Sequence, residues 1–298
     1  MKIVITGSLG NISKPLTIEL VKKGHHVTVI SSKAERQKDI ETLGAKAAIG
    51  TMEDADFLTA TFKGVDVVYV METLAVTAFF DPNIDVVDAI NKIGENYKQA
   101  IKHSGVKHVV HLSSIGAHTN KDNGLLAMHY NVENILRELP SDVSIKFMRP
   151  VGFYTYFFTF IPLIKNQSII VANFGGDFKE PWVSPLDIAD FIAEEMEKPF
   201  VGRTIQYIAS EEISTNEVAK ILGEAIGKPD LKWVVIPDEQ MENNMIAIGM
   251  NPQTAKGMVI TQGSRTRGLY DDYNQHKPKL GKVKLKDFAK EFAVVYNL

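Results

Sequence analysis

The chain has no cysteine, which removes several kinds of chemistry from consideration. Disulfide bridges, thiolate nucleophiles and cysteine-ligated metals are all excluded. The eight histidines do not group at the spacing of metal ligands. His108 and His111, for example, stand three residues apart on a predicted strand, so they point to opposite faces. We therefore predict no metal site.

Long hydrophobic runs are also missing, and no stretch is long enough to span a bilayer. Met1 leads directly into a predicted core strand, which leaves no room for a signal peptide. We therefore expect a cytoplasmic protein that does not contact a membrane.

Neither sign of charge dominates the sequence. The chain carries 33 lysines and arginines against 36 acidic residues, for a formal net charge of -3. No basic patch of the kind that binds nucleic acid stands out. The most basic stretch, Lys277 to Lys290, is interpreted as the solvated face of a helix. We predict no nucleic-acid partner, and the sequence leaves the oligomeric state open.

The first residues carry the most informative pattern in the chain. The β-branched run from Ile3 to Ile5 is typical of a strand buried on both faces of a parallel sheet. Gly7 and Gly10 follow where this strand turns sharply into a helix. Glycine at such a turn lets a pyrophosphate approach the backbone amides at the helix start. We predict nucleotide binding at this glycine turn (residues 6–13), and the alternative is a plain structural turn.

The third glycine of the dinucleotide fingerprint is absent, and Ser13 holds its place. That glycine normally lets helix and strand pack closely. Serine is small, and its hydroxyl has two candidate partners, a phosphate oxygen and the backbone. Serine in place of this glycine weakens the evidence for a dinucleotide motif but does not remove it. The cofactor contacts predicted within the glycine turn are Thr6, Gly7, Ser8, Leu9, Gly10, Asn11 and Ile12.

Apolar runs and helical patterns alternate along the first half of the chain. This alternation indicates βαβ units and a parallel, doubly wound α/β sheet of the Rossmann type. We predict an NAD(P)-binding Rossmann domain over residues 1–150. A smaller mixed substrate lobe is predicted over 151–298, with segments that partly return to the first domain. The six strands are predicted at 3–5, 27–31, 45–49, 65–71, 108–112 and 144–148.

The second half begins with an aromatic stretch from Phe153 to Phe160. Two interpretations are open: these rings pack the lobes together, or some of them line a flat apolar pocket. Such a pocket would suit a small apolar or aromatic substrate. Helices are predicted over 185–197, 215–226 and 285–296, and a strand over 204–209.

The residues after the second strand indicate which nucleotide is bound. An NAD site places a carboxylate there to hold the ribose 2′-hydroxyl. This chain instead has Ser31, Ser32 and Lys33, with Arg36 one turn on. A cation and two hydroxyls suit a 2′-phosphate, which a carboxylate would repel. We predict NADP rather than NAD. The alternative interpretation is that these residues form an ordinary polar helix start capped by Ser32, and the two interpretations are compatible.

Several segments match a known family in their order and spacing. They are Thr6–Gly10, Ser113–Ser114, Met148–Phe153 and Val183–Asp190, together with Thr215–Gly227 and Val235–Pro237. On these segments the chain resembles the NmrA-like family of atypical short-chain dehydrogenases across nearly its whole length. The resemblance implies a Rossmann domain that binds NAD(P) and a small C-terminal lobe. It leaves catalysis open, because the family includes both reductases and non-enzymatic redox sensors.

The catalytic residues of the wider superfamily are not in their usual place. Short-chain dehydrogenases use a Tyr-x-x-x-Lys pair, in which the lysine lowers the tyrosine pKa for proton donation to a carbonyl. This chain has Leu125 and His129 at the matching positions. The literal match, Tyr273 with Lys277, is attributed to chance. His129 is a catalytic candidate in place of the lysine, and the alternative is a polar residue at a helix start.

Ser113, at the end of the fifth strand, is the second catalytic candidate. Its hydroxyl would polarise a substrate carbonyl, although serines also cap turns at such positions.

The predicted function is reduction of a small quinone or activated carbonyl by direct hydride transfer from NADPH. The alternative is a non-catalytic sensor whose partner binding depends on NADP(H). The remaining predicted cofactor contacts are Met71, Glu72, Ser113, His129, Pro150, Gly152 and Phe153.

Overall fold

The computed structural model describes residues 1–298. Its strands are β1 (Lys2–Ile5), β2 (His26–Ser31), β3 (Lys46–Ile49), β4 (Val67–Val70), β5 (His108–Leu112), β6 (Ser144–Pro150), β7 (Gly152–Phe153), β8 (Ile169–Ala172), β9 (Glu180–Val183), β10 (Arg203–Ile208), β11 (Glu211–Ile213) and β12 (Lys232–Val235). Seven of them form one parallel sheet in the order β10–β6–β5–β4–β1–β2–β3. The predicted Rossmann sheet is confirmed. The strand order reverses between β1 and β4, and ligands of such sheets bind at this point, beyond the carboxyl ends.

Helices follow most strands and cover both faces of the large sheet. They are α1 (Ser13–Lys22), α2 (Gln37–Thr42), α3 (Ala55–Phe62), α4 (Val86–Ser104), α5 (Ala127–Arg137), α6 (Ile161–Gln167), α7 (Pro185–Glu197), α8 (Thr215–Ala225), α9 (Asp238–Ala247), α10 (Pro252–Gly263), α11 (Asp271–Gln275) and α12 (Leu285–Tyr296). No helix combines the length and the apolar character needed to cross a membrane.

Each face of the large sheet has its own apolar core. On one face α1 packs against α7, and Ile5, Leu16 and Ile192 are fully buried. On the other face α4 lies between α3 and α5, and Tyr97 and Val109 are fully buried. The burial of apolar side chains on both faces explains why these strands read as continuous apolar runs.

Two smaller sheets, β11–β9–β7 and β12–β8, form a small lobe together with α6, α8 and α12. Its core is aromatic: Tyr154 and Phe157 pack with Trp182, Trp233 and Phe288. The stretch from 153 to 160 therefore serves mainly the core of the small lobe, rather than the junction between lobes. The strand predicted at 204–209 corresponds to β10, which pairs with β6 as the edge strand of the large sheet and so is a segment of the second half that returns to the first domain.

Several elements of the second half carry no clear sequence signal. Helix α9 is mostly polar, and α10 contains Gly257 and Gly263, which are poor helix formers. Helix α10 is held by packing against residues 124–126, where Leu125 lies against Gly257. Tertiary contacts, and not local helix propensity, therefore stabilise α10.

Candidate active site

The glycine turn has the backbone conformation that the sequence predicts. Gly7 and Ser8 both lie in the left-handed region, at φ 84° and 54°. A Cβ atom on Gly7 would lie 2.6 Å from the Ser13 hydroxyl oxygen, so the position requires glycine. Gly10 has no such strain, and a Cβ there would lie 3.1 Å from the carbonyl oxygen of Gly7. A small side chain at Gly10 therefore requires the Gly7 carbonyl oxygen to shift by a few tenths of an ångström.

Backbone amides gather at the start of α1 without acceptors. The amides of Leu9, Asn11 and Ile12 make no hydrogen bond within the chain. The Ser13 hydroxyl donates to the carbonyl oxygen of Thr6 at 2.9 Å, so the backbone is its partner. Thr6 in turn accepts from the amide of Met71 at 3.0 Å, which ties the turn to the end of β4. The free amides suit the negative charge of a pyrophosphate.

The end of β2 meets the glycine turn through two hydroxyls and a cation. The hydroxyl oxygens of Ser8 and Ser31 are 2.9 Å apart, and Arg36 Nη1 donates to the Ser8 oxygen at 3.2 Å. Ser32 and Lys33 are exposed beside them. Ser32 does not cap the following 3₁₀ turn, which corrects that alternative. The structure therefore brings the predicted 2′-phosphate residues to one place.

Glu72 is paired with a buried histidine. Both its carboxylate oxygens lie 3.1 Å from Nε2 of His111, and neither side chain is exposed. Its neighbour Met71 is half-buried against the glycine turn, and the carbonyl oxygen of Met71 accepts from Tyr97 at 2.7 Å. The Glu72–His111 pair thus joins the carboxyl ends of β4 and β5.

Ser113 is hydrogen-bonded to a buried ion pair. Its hydroxyl donates to Glu133 at 2.6 Å, and the same carboxylate accepts from Nε and Nη2 of Arg149, each at 2.8 Å. Ser113, Glu133 and Arg149 are all buried. This geometry counts against the predicted contact between the Ser113 hydroxyl and a substrate carbonyl. The pair instead fixes β5, β6 and α5 to one another.

His129 lies in the first turn of α5, where its ring is half-buried. Its Nδ1 is buried without a hydrogen-bond partner, and the carboxylate of Glu133, one turn later on α5, is bonded to Ser113 and Arg149 instead. Burial lowers the pKa of His129 to about 4. The imidazole is therefore neutral near pH 7, with one nitrogen able to donate and one able to accept.

A neutral His129 leads to a prediction about pH. If the imidazole bonds the nicotinamide ribose, His129→Ala should weaken NADPH binding by about 0.5–1.5 kcal/mol. The pH dependence of binding between about pH 6 and 8 should match in wild type, His129→Ala and the near-isosteric His129→Gln, because His129 does not titrate there. Calorimetry at several pH values measures both quantities. A wild-type step near pH 6.5 that disappears in both variants would contradict this assignment.

Pro150, Gly152 and Phe153 follow one another where β6 passes into the small lobe. The carbonyl oxygen of Pro150 accepts from the amide of Ile115 at 2.9 Å, which places this segment beside the residues that follow β5. Gly152 lies against Trp182, and Phe153 is half-buried. The predicted residues at the ends of β1, β4, β5 and β6 therefore line one edge of the sheet.

The sequence profile of the NmrA-like family matches residues 1–286, nearly the whole chain. This chain belongs to the NmrA-like family. The resemblance noted in the sequence is thereby confirmed.

Proteins similar to this NmrA-like chain include several reductases. An NAD(P)H azoreductase from Xenophilus azovorans is 24% identical over 257 residues, covering 86% of this chain and 84% of the azoreductase. An NADPH-dependent quinone oxidoreductase from Escherichia coli, solved with NADPH, has a TM-score of 0.79 at 18% identity, covering 97% of this chain and 99% of that one. A Citrobacter sp. triphenylmethane reductase complexed with NADP(H) has a TM-score of 0.76 at 18% identity, covering 98% and 99%. The two structures share the fold of this chain.

The literal Tyr-x-x-x-Lys match of this NmrA-like chain is structural. The Tyr273 hydroxyl donates to Glu212 at 2.9 Å, and Lys277 donates to the same carboxylate at 2.8 Å. Burial raises the pKa of Tyr273 most, and the hydrogen bond to Glu212 raises it further. A proton-donating tyrosine of this superfamily needs a lowered pKa. The two side chains fasten α11 and the segment after it to β11.

Sequence reasoning missed one group near Gly152. Arg265, Glu180 and Tyr270 come from three separate segments and meet beside β7. No motif links these residues, because their proximity depends on how α10 and β9 pack. A buried glutamate within the apolar segment Glu180–Val183 was the one available signal, since acids in strand cores require partners.

Proposed function

We propose that this NmrA-like protein is an NADP(H)-dependent oxidoreductase that reduces a small quinone or an activated aromatic carbonyl compound. The proposal is supported by the names of its relatives, which are reductases of azo compounds, quinones and triphenylmethane dyes that use NAD(P)H, NADPH and NADP(H) respectively. A small apolar or aromatic substrate suits an edge where Phe153 and Tyr156 are half-buried.

The observation that carries the proposal is the polar cluster at the end of β2. Arg36, Ser8 and Ser31 are joined by hydrogen bonds there, and no carboxylate takes part. Arg36 would bind the 2′-phosphate, and the free amides at Leu9, Asn11 and Ile12 would bind the pyrophosphate. A bound reduced dinucleotide supplies a hydride, which is one proton with two electrons.

The residues of the chain then have to position the substrate and stabilise charge. A quinone that accepts the hydride becomes a hydroquinone monoanion, and one proton from water completes the reduction. Ser113 does not supply this proton, because its own proton is shared with Glu133. Orientation of the two reactants accounts for much of the rate in such a site.

A second candidate function is a sensor that binds NADP(H) without turnover. It is favoured by one observation: two buried pairs of ionisable side chains, Glu72 with His111 and Glu133 with Arg149, lie next to the end of β5. The two functions differ in whether bound NADPH is oxidised when a quinone is added.

The cofactor preference is directly testable. NADPH should bind more tightly than NADH, and Lys33→Ala with Arg36→Ala should remove most of the difference, because each charged hydrogen bond contributes about 1.5–3 kcal/mol. Calorimetric titration of both nucleotides measures this effect. Lys38→Ala removes an equivalent exposed charge from α2 and is the control. Equal affinity of the wild type for the two nucleotides would refute the assignment of the 2′-phosphate site.

A further inference from the structure

Arg265 occupies an unusual place next to the small lobe. It follows α10, and its side chain is only 13% exposed. The guanidinium carbon lies 4.4 Å from the centre of the Phe174 ring and 4.8 Å from that of Trp182. Two aromatic rings thus pack against the cation and fix its position, since such contacts are favourable when water is excluded.

Only one nitrogen of this guanidinium, Nη1, donates hydrogen bonds within the protein. Nη1 donates to Glu180 at 2.6 Å and to the Tyr270 oxygen at 2.8 Å, and the Tyr270 hydroxyl also donates to Glu180. Nη2 and Nε have no acceptor among the side chains and backbone of the chain. A guanidinium carries five N–H groups, so three of them have no acceptor within the protein, and the two nitrogens that carry them keep some accessible surface. An acceptor from outside the chain can therefore reach these donors, and a hydrogen bond from a charged guanidinium is among the stronger ones in proteins.

Nη2 lies beside Gly152 of β7, just beyond the carboxyl end of β6. A Cβ atom on Gly152 would lie 3.2 Å from it, so the absence of a side chain at Gly152 leaves room for the guanidinium. Gly152 comes two residues after Pro150, whose carbonyl oxygen is bonded to Ile115 beyond β5. The unpaired donors therefore lie at the same sheet edge as the other predicted site residues.

The surroundings of Arg265 indicate the kind of acceptor. Tyr156 lies close by and bonds Gln262 at 2.9 Å, and burial raises its pKa to about 12, so it stays neutral. Phe153 and Tyr156 provide half-buried aromatic surface. Glu180 already balances the resting charge of Arg265. These features suit a flat aromatic molecule that carries an acceptor oxygen.

We propose that Arg265 binds the oxygen of an aromatic carbonyl or quinone substrate and stabilises the negative charge that this oxygen gains during reduction. This inference rests on the proposed function and gives the chain a replacement for the missing tyrosine. The charge resides on the substrate oxygen after the hydride is added to the substrate. Arg265 keeps all its protons, and water supplies the one that completes the hydroquinone. Preorganised donors of this kind are a large source of rate enhancement.

Binding of two probes tests the inference without turnover. The neutral 1,4-naphthoquinone and 2-hydroxy-1,4-naphthoquinone, an anion at neutral pH, have nearly the same shape. Binding is followed by quenching of the only two tryptophans, of which Trp182 stacks on Arg265. Arg265→Met with Glu180→Gln avoids a buried unpaired carboxylate. Arg267→Met is the control, because Arg267 is exposed and pairs only loosely with Asp238 at 3.6 Å.

In the double variant, the anionic probe should bind about tenfold more weakly or worse, and the neutral probe no more than about threefold more weakly. Arg265→Lys should restore part of the preference for the anion, and Arg267→Met should match the wild type. Unchanged binding of the anionic probe in a folded double variant overturns the role of Arg265. Calorimetry with NADPH on the same variants separates the two proposals. An anion preference that depends on Arg265, in a wild type that does not oxidise NADPH, would support the anion site and reject the oxidoreductase.

Discussion

Replacing Gly10 by valine is expected to abolish NADPH binding while leaving the fold largely intact. A branched side chain there would fill the space through which a pyrophosphate reaches the amides of Leu9, Asn11 and Ile12. Loss of two charged hydrogen bonds, at about 1.5–3 kcal/mol each, corresponds to more than a hundredfold weaker binding. Calorimetry gives the affinity, and thermal unfolding checks the fold.

Two alanine variants provide the controls for this experiment. Gly10→Ala should weaken binding less than valine, because its Cβ needs only a small shift of the Gly7 carbonyl oxygen. Gly7→Ala should destabilise the protein itself, by about 1–2 kcal/mol or more, because its φ of 84° disfavours a side chain. Full NADPH affinity in Gly10→Val would mean that the nucleotide binds elsewhere.

Removing the carboxylate of Glu133 is expected to cause the largest loss of stability. Glu133 and Arg149 are almost fully buried, and Glu133→Ala would leave the guanidinium without its bidentate partner. Breaking a buried pair in this way costs about 3–5 kcal/mol. Urea unfolding measures the change. Asp142→Asn, which breaks the exposed Lys107–Asp142 pair, is the control and should change little.

The same pair predicts how stability depends on pH. Burial raises the pKa of Glu133, but the bonds from Arg149 and Ser113 outweigh it, so its net pKa lies below the usual range. Its stabilising contribution is therefore complete above the unfolded value of about 4.3 and is lost as the pH falls through the folded pKa. The stability gap between wild type and Glu133→Ala should narrow in acid. A gap that stays constant down to about pH 2 would contradict this role.

The large sheet could be predicted from the sequence because each of its elements is specified locally. Apolar runs such as Ile3–Ile5 mark buried strands. The side chain of Asp85 caps α4 at its start, and Gly105 ends it at φ 80°. The residues of the glycine turn and Arg36 were predictable for the same reason, since one strand–turn–helix unit and the next strand bring them together.

The rest of the site depends on contacts between distant segments. The pairs Glu72–His111 and Glu133–Arg149 join residues from different elements, so the sequence did not show that Glu72 and Ser113 are bonded to buried partners. Arg265 and Glu180 are brought together only by the packing of the small lobe. Conversely, the Tyr-x-x-x-Lys spacing of Tyr273 and Lys277 has a structural role, because both side chains donate to Glu212.

Hydride transfer from NADPH to an aromatic acceptor is the activity that we propose for this NmrA-like chain. The most direct measurement follows NADPH absorbance while the purified protein is mixed with a panel of quinones and aldehydes. We expect at least one quinone to be reduced in a one-to-one ratio with NADPH, at a rate that slows when the transferred hydrogen is deuterium. Tight NADPH binding without oxidation by any acceptor in the panel would contradict the claim and favour a sensor.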